Sequence, residues 1–427
     1  MISKDLLLLF NPWWRDGSVG GDLAKPYRRK IFTDVVKGLD LRQIQLITGL
    51  RRVGKSTILY QLVDHLIGRG VQPRRIVYYS FDVAEDGILE ILRSYSQLTG
   101  VDWRSERVYL LLDEIQKVDG WSSWLKIIYD SHPNLKILVS GSSSLHLEED
   151  AQRNLAGRYI IHKVEPLSLI EFFELKTGRT VDNPDLWRDD LLAVLEEYLR
   201  KPFPEIVNWS DVPALTYIRE SVLEKVLASD LSTRGLDRFR TYEILSLLFS
   251  EPGLYLNVNT LAGEVGMSKK TLYKYLGYME NSYLVRILRN YRPSVRASSR
   301  KMKRIYPYHW SLLYGLVPRI ERGALLESIA ASLLNAVYYW REGVREVDFV
   351  VLDGDSIAPI EVKAKDSLRR DDLRNLAFFM GRYGIRKGFL IYMGDDGVEE
   401  LDGGIVRLIS LLSLCISGKW VLGMKRE

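Results

Sequence analysis

Two stretches of this chain set chemistry-bearing residues at telling spacings. The first, GLRRVGKST at 49–57, has the form G-x-x-x-x-G-K-[ST]. Gly49 and Gly54 permit a tight loop through Leu50, Arg51, Arg52 and Val53. The backbone N–H groups of such a loop face inward on phosphates, and the helix that follows adds partial positive charge. Lys55 is placed to reach the β- and γ-phosphates and Ser56 to set its hydroxyl on Mg²⁺, and Thr57 is counted with the loop as a nucleotide contact. The second stretch is PIEVK at 359–363, with REVDFVV at 345–351 upstream. Period-2 geometry puts Glu361 and Lys363 on one strand face while Val362 points into the core. Gly354, in Asp-Gly-Asp, signals a tight turn that folds the two strands into a hairpin and brings Asp348 near Glu361. Asp348 and Glu361 are hard oxygen ligands for a divalent ion, Mg²⁺ or Mn²⁺. The chemistry such an ion supplies is activation of water, and Lys363 beside it is placed to orient a nucleophile or stabilise developing charge. A strand pair carrying a salt bridge gives the same pattern.

The phosphate loop has a second half in VYLLLDEIQ (108–116), an apolar strand delivering Asp113 and Glu114 to a sheet edge. Asp113 is expected to support the metal, and Glu114 to polarise the attacking water. The next strand ends in SGSSS (140–144). Ser140, Ser142 or Ser143 either senses the γ-phosphate or the attacking water, or caps the following helix; Ser140 is carried forward as the cofactor contact. Arg158, in NLAGRY, either stabilises charge at a neighbouring subunit's nucleotide or makes a surface salt bridge.

A third constellation is helical. LAGEVGMSKKTLYKYL (261–276) has a small residue, Ala262, in its first helix, Gly266 at a turn and Ser268 as a cap. Lys269, Lys270, Tyr273 and Lys274 then fall at one end of the second helix, the end that enters a major groove in DNA-binding helix-turn-helix proteins. RNYRPSVRASSRKMKR (289–304) adds basic charge beside it, as a phosphate-contacting wing does. The alternative is a protein-docking module with solvated lysines.

The elements that must position these residues follow from hydrophobic pattern. QIQLITG (43–49), RRIVYYSFDV (74–83), RVYLLLDE (107–114) and LKILVSGSSS (135–144) are β-rich runs separated by helical segments. That alternation implies a parallel sheet covered on both faces. From about residue 165 the pattern turns helical, and strands return with REVDFVVLDG, SIAPIEVKA and KGFLIYMG.

Composition is that of an ordinary globular chain of 427 residues, with 46% hydrophobic and 27% charged residues. The net charge of +5 is too mild to argue for nucleic acid by itself. One cysteine, Cys415, excludes an internal disulfide framework and a cysteine-rich zinc site, and fits a reducing cytoplasm. The run in MISKDLLLLFNPWW is too short for a signal peptide. IVRLISLLSLCISG is broken by Arg407 and falls short of a membrane span.

Read in order, GLRRVGKST, LLLDEIQ, VSGSSSL, LAGRY and EPLSLIEFFE resemble the AAA+ ATPases of archaea and bacteria sometimes called archaeal predicted ATPases. The resemblance extends through SKKTLYKYLGYMENSYL, GALLESIAASLL, EVDFVV and PIEVK. One departure is KPFPEIV (201–207), where such proteins usually have paired glycines before Phe-Pro. Residues 323–395 resemble the PD-(D/E)xK nuclease fold, whose pattern adds Glu327 from the preceding helix to the metal-binding acids. The resemblance implies an α/β protein: a P-loop AAA+ core (1–165), a helical lid (166–238), a winged helix with a basic wing (239–304) and a restriction-endonuclease-like domain (305–427). It further implies ATP hydrolysis with Mg²⁺, DNA as a partner and assembly into a homo-oligomer, with metal-dependent DNA cleavage at the terminal domain. The alternative is a nucleotide-gated protein-binding switch whose nuclease-like domain cuts nothing.

Overall fold

The computed structural model describes residues 4–83, 87–142, 144–231, 235–294, 302–354, 356–401 and 403–423. They fall into two compact units, Met1–Leu167 and Ser168–Glu427.

In the first unit, β1 (Ile44–Thr48), β2 (Ile76–Ser80), β3 (Val108–Asp113), β4 (Leu135–Gly141) and β5 (Tyr159–Lys163) form a parallel sheet in the order β2-β3-β4-β1-β5. The strands β1 to β4 are the apolar runs of the sequence and are buried almost throughout, as strands covered on both faces must be. β5 was not foreseen: YIIHK is short, half-buried and lies at the sheet edge, so its apolar signal is weak.

The opposite edge, β2, is covered by the chain's opening segment. The Asn11 side chain accepts from Tyr78 N–H at 2.7 Å and donates to Tyr78 O at 2.9 Å. The indoles of Trp13 and Trp14 donate to Ile76 O at 3.0 and 2.7 Å. FNPWW thus satisfies edge groups that would otherwise template pairing with another chain. At the amino end of β4, the Lys136 ammonium is buried and donates to the carbonyls of Gly38, Leu41 and Gln43 at 2.7, 2.6 and 2.7 Å. These bonds tie the entry into β1 to its neighbour β4.

The second unit opens with a helix at Leu169–Thr177, capped by reciprocal bonds between Ser168 and Glu171. Helices α1 (Arg238–Ser250), α2 (Val258–Glu264) and α3 (Lys269–Asn281) follow, and Ser268 caps α3 by accepting from Thr271 N–H. Next come β6 (Val285–Asn290) and β7 (Arg304–Pro307), an antiparallel pair. Residues 295–301, the centre of the expected basic wing, lie outside the described residues. Helix α4 (Arg322–Leu333), β8 (Tyr338–Glu342), β9 (Arg345–Asp353), β10 (Ser356–Lys363), α5 (Arg374–Tyr383), β11 (Lys387–Tyr392), β12 (Gly397–Leu401) and β13 (Gly404–Ser410) complete the sheet. Its order is β12-β13-β11-β10-β9-β8-β6-β7.

The divisions expected at 166–238, 239–304 and 305–427 therefore share one compact unit. β6 pairs with β8, so the hairpin after α3 is continuous with the C-terminal sheet, and the 304/305 division falls inside β7. Arg188 pairs with Asp396 at 2.9 Å and Trp310 donates to Leu199 O at 2.8 Å, building the 188–200 helix into the same body. At the departure KPFP, Lys201 is buried; its ammonium donates to Trp209 O at 2.9 Å and pairs with Glu197 at 3.2 Å. The late apolar run divides into β13 and a helix at Leu411–Ser417. Among the described residues no helix is long and apolar enough to cross a membrane.

Candidate functional site

The phosphate loop leaves β1 and opens the helix Lys55–Gly68. It runs so close to the chain after β5 that a Cβ on Gly49, at φ +150°, would meet Val164 O at 2.1 Å. Gly54 has φ 97° and Arg52 φ 68°, the left-handed turns that swing successive N–H groups to one side. Leu50 and Val53 anchor the loop in the core, Arg51 and Thr57 are half-buried, and Arg52 is exposed. The Lys55 ammonium, also buried, donates to the carbonyls of Gly49 and Leu50, each at 3.0 Å. Arg29 braces the loop from outside the motif, donating to Val53 O at 2.8 Å and Glu165 O at 2.9 Å.

Asp113, at the carboxyl end of β3, is the hub. Its Oδ2 accepts from Ser56 Oγ at 2.6 Å and from the Tyr78 hydroxyl at 2.9 Å. Its Oδ1 accepts from Ser140 Oγ and from Glu114 N–H at 3.2 Å. Burial first, and then the charge of Asp113, push the Tyr78 hydroxyl far above the usual tyrosine range, so it stays a proton donor. Glu114 is buried and sits at φ 54°, a conformation that a non-glycine residue rarely adopts. Gln116 Nε2 donates to its Oε2 and to Ser142 Oγ at 3.0 Å, and Ser142 Oγ donates to the same carboxylate oxygen at 3.3 Å. Of the three serines expected as sensors, Ser140 binds Asp113, Ser142 binds Glu114, and Ser143 lies outside the described residues.

Arg158 is not beside its own chain's loop. It precedes β5 at the amino end, where its carbonyl accepts from Ile44 N–H, whereas the loop leaves the carboxyl end of β1. The intervening pairs Ile44↔Tyr159 to Thr48↔Lys163 put roughly 13 Å of strand between the two ends. Its guanidinium makes a two-point contact with Asp130, Nε at 2.8 Å and Nη2 at 3.2 Å.

The C-terminal acids form a separate cluster. The hairpin ladder runs from Asp353↔Ser356 to Phe349↔Ile360, turning at Gly354 with φ 55°. Just past its last pair, Asp348 Oδ2 accepts Val362 N–H at 2.8 Å. Lys363 Nζ lies 2.6 Å from Glu361 Oε1, while Glu361 Oε2 is buried without a hydrogen-bond partner. Glu327, from α4, accepts from the Tyr306 hydroxyl at 2.8 Å and from Arg304 Nη2 at 3.0 Å. The same guanidinium reaches Glu346 at 2.8 Å and Asp348 at 3.5 Å. Burial and the neighbouring Asp348 push Glu327 up to about 7 and Glu361 up to about 8.

The two expected metal sites differ in fit. At the loop, a hydroxyl and a carboxylate converge at 2.6 Å beneath backbone amides, a hard-oxygen donor set that suits Mg²⁺ with a nucleotide. At the C-terminal cluster the acids do not fit the expected three-acid set of Glu327, Asp348 and Glu361. A guanidinium already stands against Glu327 and Asp348, and among the described residues no group of three or more potential ligands is arranged around a metal position.

Lys269, Lys270, Tyr273 and Lys274 are all exposed at the amino half of α3, with Lys274 over the Tyr278 ring at 5.8 Å. Tyr78, Arg29, Gln116 and Arg304 carry no motif and were missed. Tyr78 was legible only in register: it pairs with Leu111, two residues before Asp113 and therefore on the same face.

The parallel sheet, the phosphate loop and the Asp113 hub define a P-loop α/β domain. The family described as "AAA domain" matches residues 41–173. Families described as domains of unknown function match residues 194–321 and 323–414. An uncharacterized protein of Haemophilus influenzae is 30% identical over 266 residues, 60% of this chain and 65% of that protein. Two uncharacterized proteins of Methanocaldococcus jannaschii are each 25% identical, one over 69% of this chain and 68% of its own length, the other over 72% of both. Among solved structures, C. elegans PCH-2 aligns at 14% identity over 46% of this chain and 48% of its own, with a TM-score of 0.24. The Pif1 helicase from Candida albicans aligns at 18% identity over 38% and 46%, with a TM-score of 0.25. Likenesses that distant carry no argument about this chain.

Proposed function

We propose that this protein hydrolyses ATP to ADP and phosphate at the 49–57 loop, and that nucleotide turnover governs what the second unit holds. The observation that carries this is the Ser56–Asp113 contact at 2.6 Å beneath a glycine-shaped loop of amides. In this reading the amides of 50–55 hold the β-phosphate, and the Lys55 ammonium leaves the carbonyls of Gly49 and Leu50 for phosphate oxygens. Ser56 and Asp113 would hold Mg²⁺, whose chemistry is to neutralise charge on the transferred phosphoryl group. Glu114 orients the attacking water and takes its proton, with Gln116 and Ser142 fixing the carboxylate. Arg158, remote from its own loop, is assigned to a neighbouring copy's nucleotide in a homo-oligomer, which requires it to leave Asp130. Lys55→Ala in a folded chain should abolish ATP turnover; retained turnover would refute the site.

For the second unit we infer DNA contact through α3, with Lys269, Lys270 and Lys274 on phosphates and Tyr273 at a base edge or the backbone. Support comes from their joint exposure at the capped end of a helix that follows a four-residue turn, 265–268, containing Gly266. For the acids, metal-dependent cleavage by Glu327, Asp348, Glu361 and Lys363 competes with a nuclease-like domain that grips without cutting. Arg304 on Glu327 and Asp348 favours the second. DNA nicking in Mg²⁺ or Mn²⁺ that disappears in a Glu361→Ala, Lys363→Ala variant would restore the first. The buried Cys415 and the absence of paired cysteines in the sequence support a cytoplasmic setting.

A further inference from the structure

We propose that Arg304 takes the place of a divalent ion in the C-terminal acid cluster, making it a cation site filled by the protein's own side chain. The inference rests on the gripping-without-cutting reading of the second unit and is independent of ATP chemistry. Arg304 is buried, and its guanidinium is held on every side. Nε donates to Gly253 O at 2.7 Å, Nη1 to Glu346 at 2.8 Å with Asp348 at 3.5 Å, and Nη2 to Glu327 at 3.0 Å. The rings of Tyr306, Tyr255 and Tyr339 surround it at 5.2, 5.5 and 6.0 Å. Tyr306 also donates to the same Glu327 oxygen at 2.8 Å.

The planar guanidinium offers separate N–H groups to separate acceptors, which suits oxygens splayed around its rim. A divalent ion needs those oxygens turned inward on one point at about 2.0–2.6 Å. Both cations cannot use Glu327 and Asp348 together, because a second positive charge within a few ångströms of a buried guanidinium is strongly repelled. Nor is Arg304 a loose arm. It lies on β7, opposite Leu288 of β6 and bridged to Tyr255, so the sheet itself fixes it in the cluster. Among the described residues, Glu361 Oε2 is a buried acid oxygen without a hydrogen-bond partner. Removing the guanidinium would leave Glu327, Glu346 and Asp348 beside it without their counter-charge.

The test is Mn²⁺ binding to the nucleotide-free full-length protein, followed by electron paramagnetic resonance. Wild type and Glu361→Gln should bind Mn²⁺ identically. Arg304→Met should gain one Mn²⁺ per chain, bound at least tenfold more tightly than any in wild type and lost again when Glu361→Gln is added. A wild-type Mn²⁺ that Glu361→Gln removes overturns the proposal, and so does a folded Arg304→Met protein that gains none. If Arg304→Met does not fold, the comparison of wild type with Glu361→Gln decides. ATP is absent throughout, so failure here leaves the loop's function untouched.

Discussion

Ser56 Oγ donates to Asp113 Oδ2 at 2.6 Å, joining the first turn of the loop helix to the end of β3. The same oxygen takes the Tyr78 hydroxyl at 2.9 Å, from a strand on the other side of β3 from β4. Hydrogen bonds to a charged group are worth about 1.5–3 kcal/mol, so the aim of the Asp113 carboxylate depends on both donors.

Tyr78→Phe should therefore lower kcat about tenfold, since roughly 1.4 kcal/mol is a factor of ten. The loss should be flat between pH 6 and 9, because the hydroxyl stays protonated across that range. Steady-state ATPase assays across pH decide this; a wild-type rate in Tyr78→Phe would remove Tyr78 from the site.

Gln116 reaches Glu114 and Ser142 together, so in the proposed hydrolysis it would act as a positioning residue. Gln116→Ala should reduce kcat about tenfold with KM for ATP nearly unchanged, because ground-state phosphate contacts do not involve it. A rise in KM with unaltered kcat would mean that it supports nucleotide binding instead.

His309 is buried, accepts from Ser311 N–H at 3.3 Å and stacks on Trp310. Burial, then Arg286, lowers it to about 3. The unfolded histidine titrates near 6.5, so below that pH the unfolded chain binds a proton that the folded chain refuses. Stability should be undiminished at pH 7 and above and fall by about 2 kcal/mol between pH 7 and 5 through this residue. Urea unfolding at both pH values should show the fall in wild type and a smaller one in His309→Asn.

Lys269, Lys270 and Lys274 are exposed at one end of α3. If each neutralises a phosphate, the triple alanine variant should flatten the slope of log K against log salt by up to about 2.7, at roughly 0.9 per contact. Fluorescence anisotropy with a labelled duplex measures it. An unchanged slope would assign the helix to protein docking.

Some of this was legible in residue order alone. The loop, the apolar strand ending in Asp113–Glu114 and the hairpin around Gly354 are local: each needs only a few consecutive residues and the period of a strand. β5 was not legible, because YIIHK gains its place only by pairing with β1. Arg304 reads as one more cation in the basic stretch after α3, yet it is buried among acids from α4 and β9.

Sequence by itself therefore determined the kinds of chemistry on offer: a phosphate-cradling turn, an acid pair after a buried strand, and acids with a lysine on a hairpin. Tertiary structure decided which of them meet and what already compensates them. It brought Tyr78 and Ser140 to Asp113, carried Arg158 to the far end of the sheet, and set a guanidinium among the C-terminal acids. The reason is physical: backbone turns and periodicity act over a few residues, whereas the partner of a buried charge is chosen by strand order and register across the whole chain.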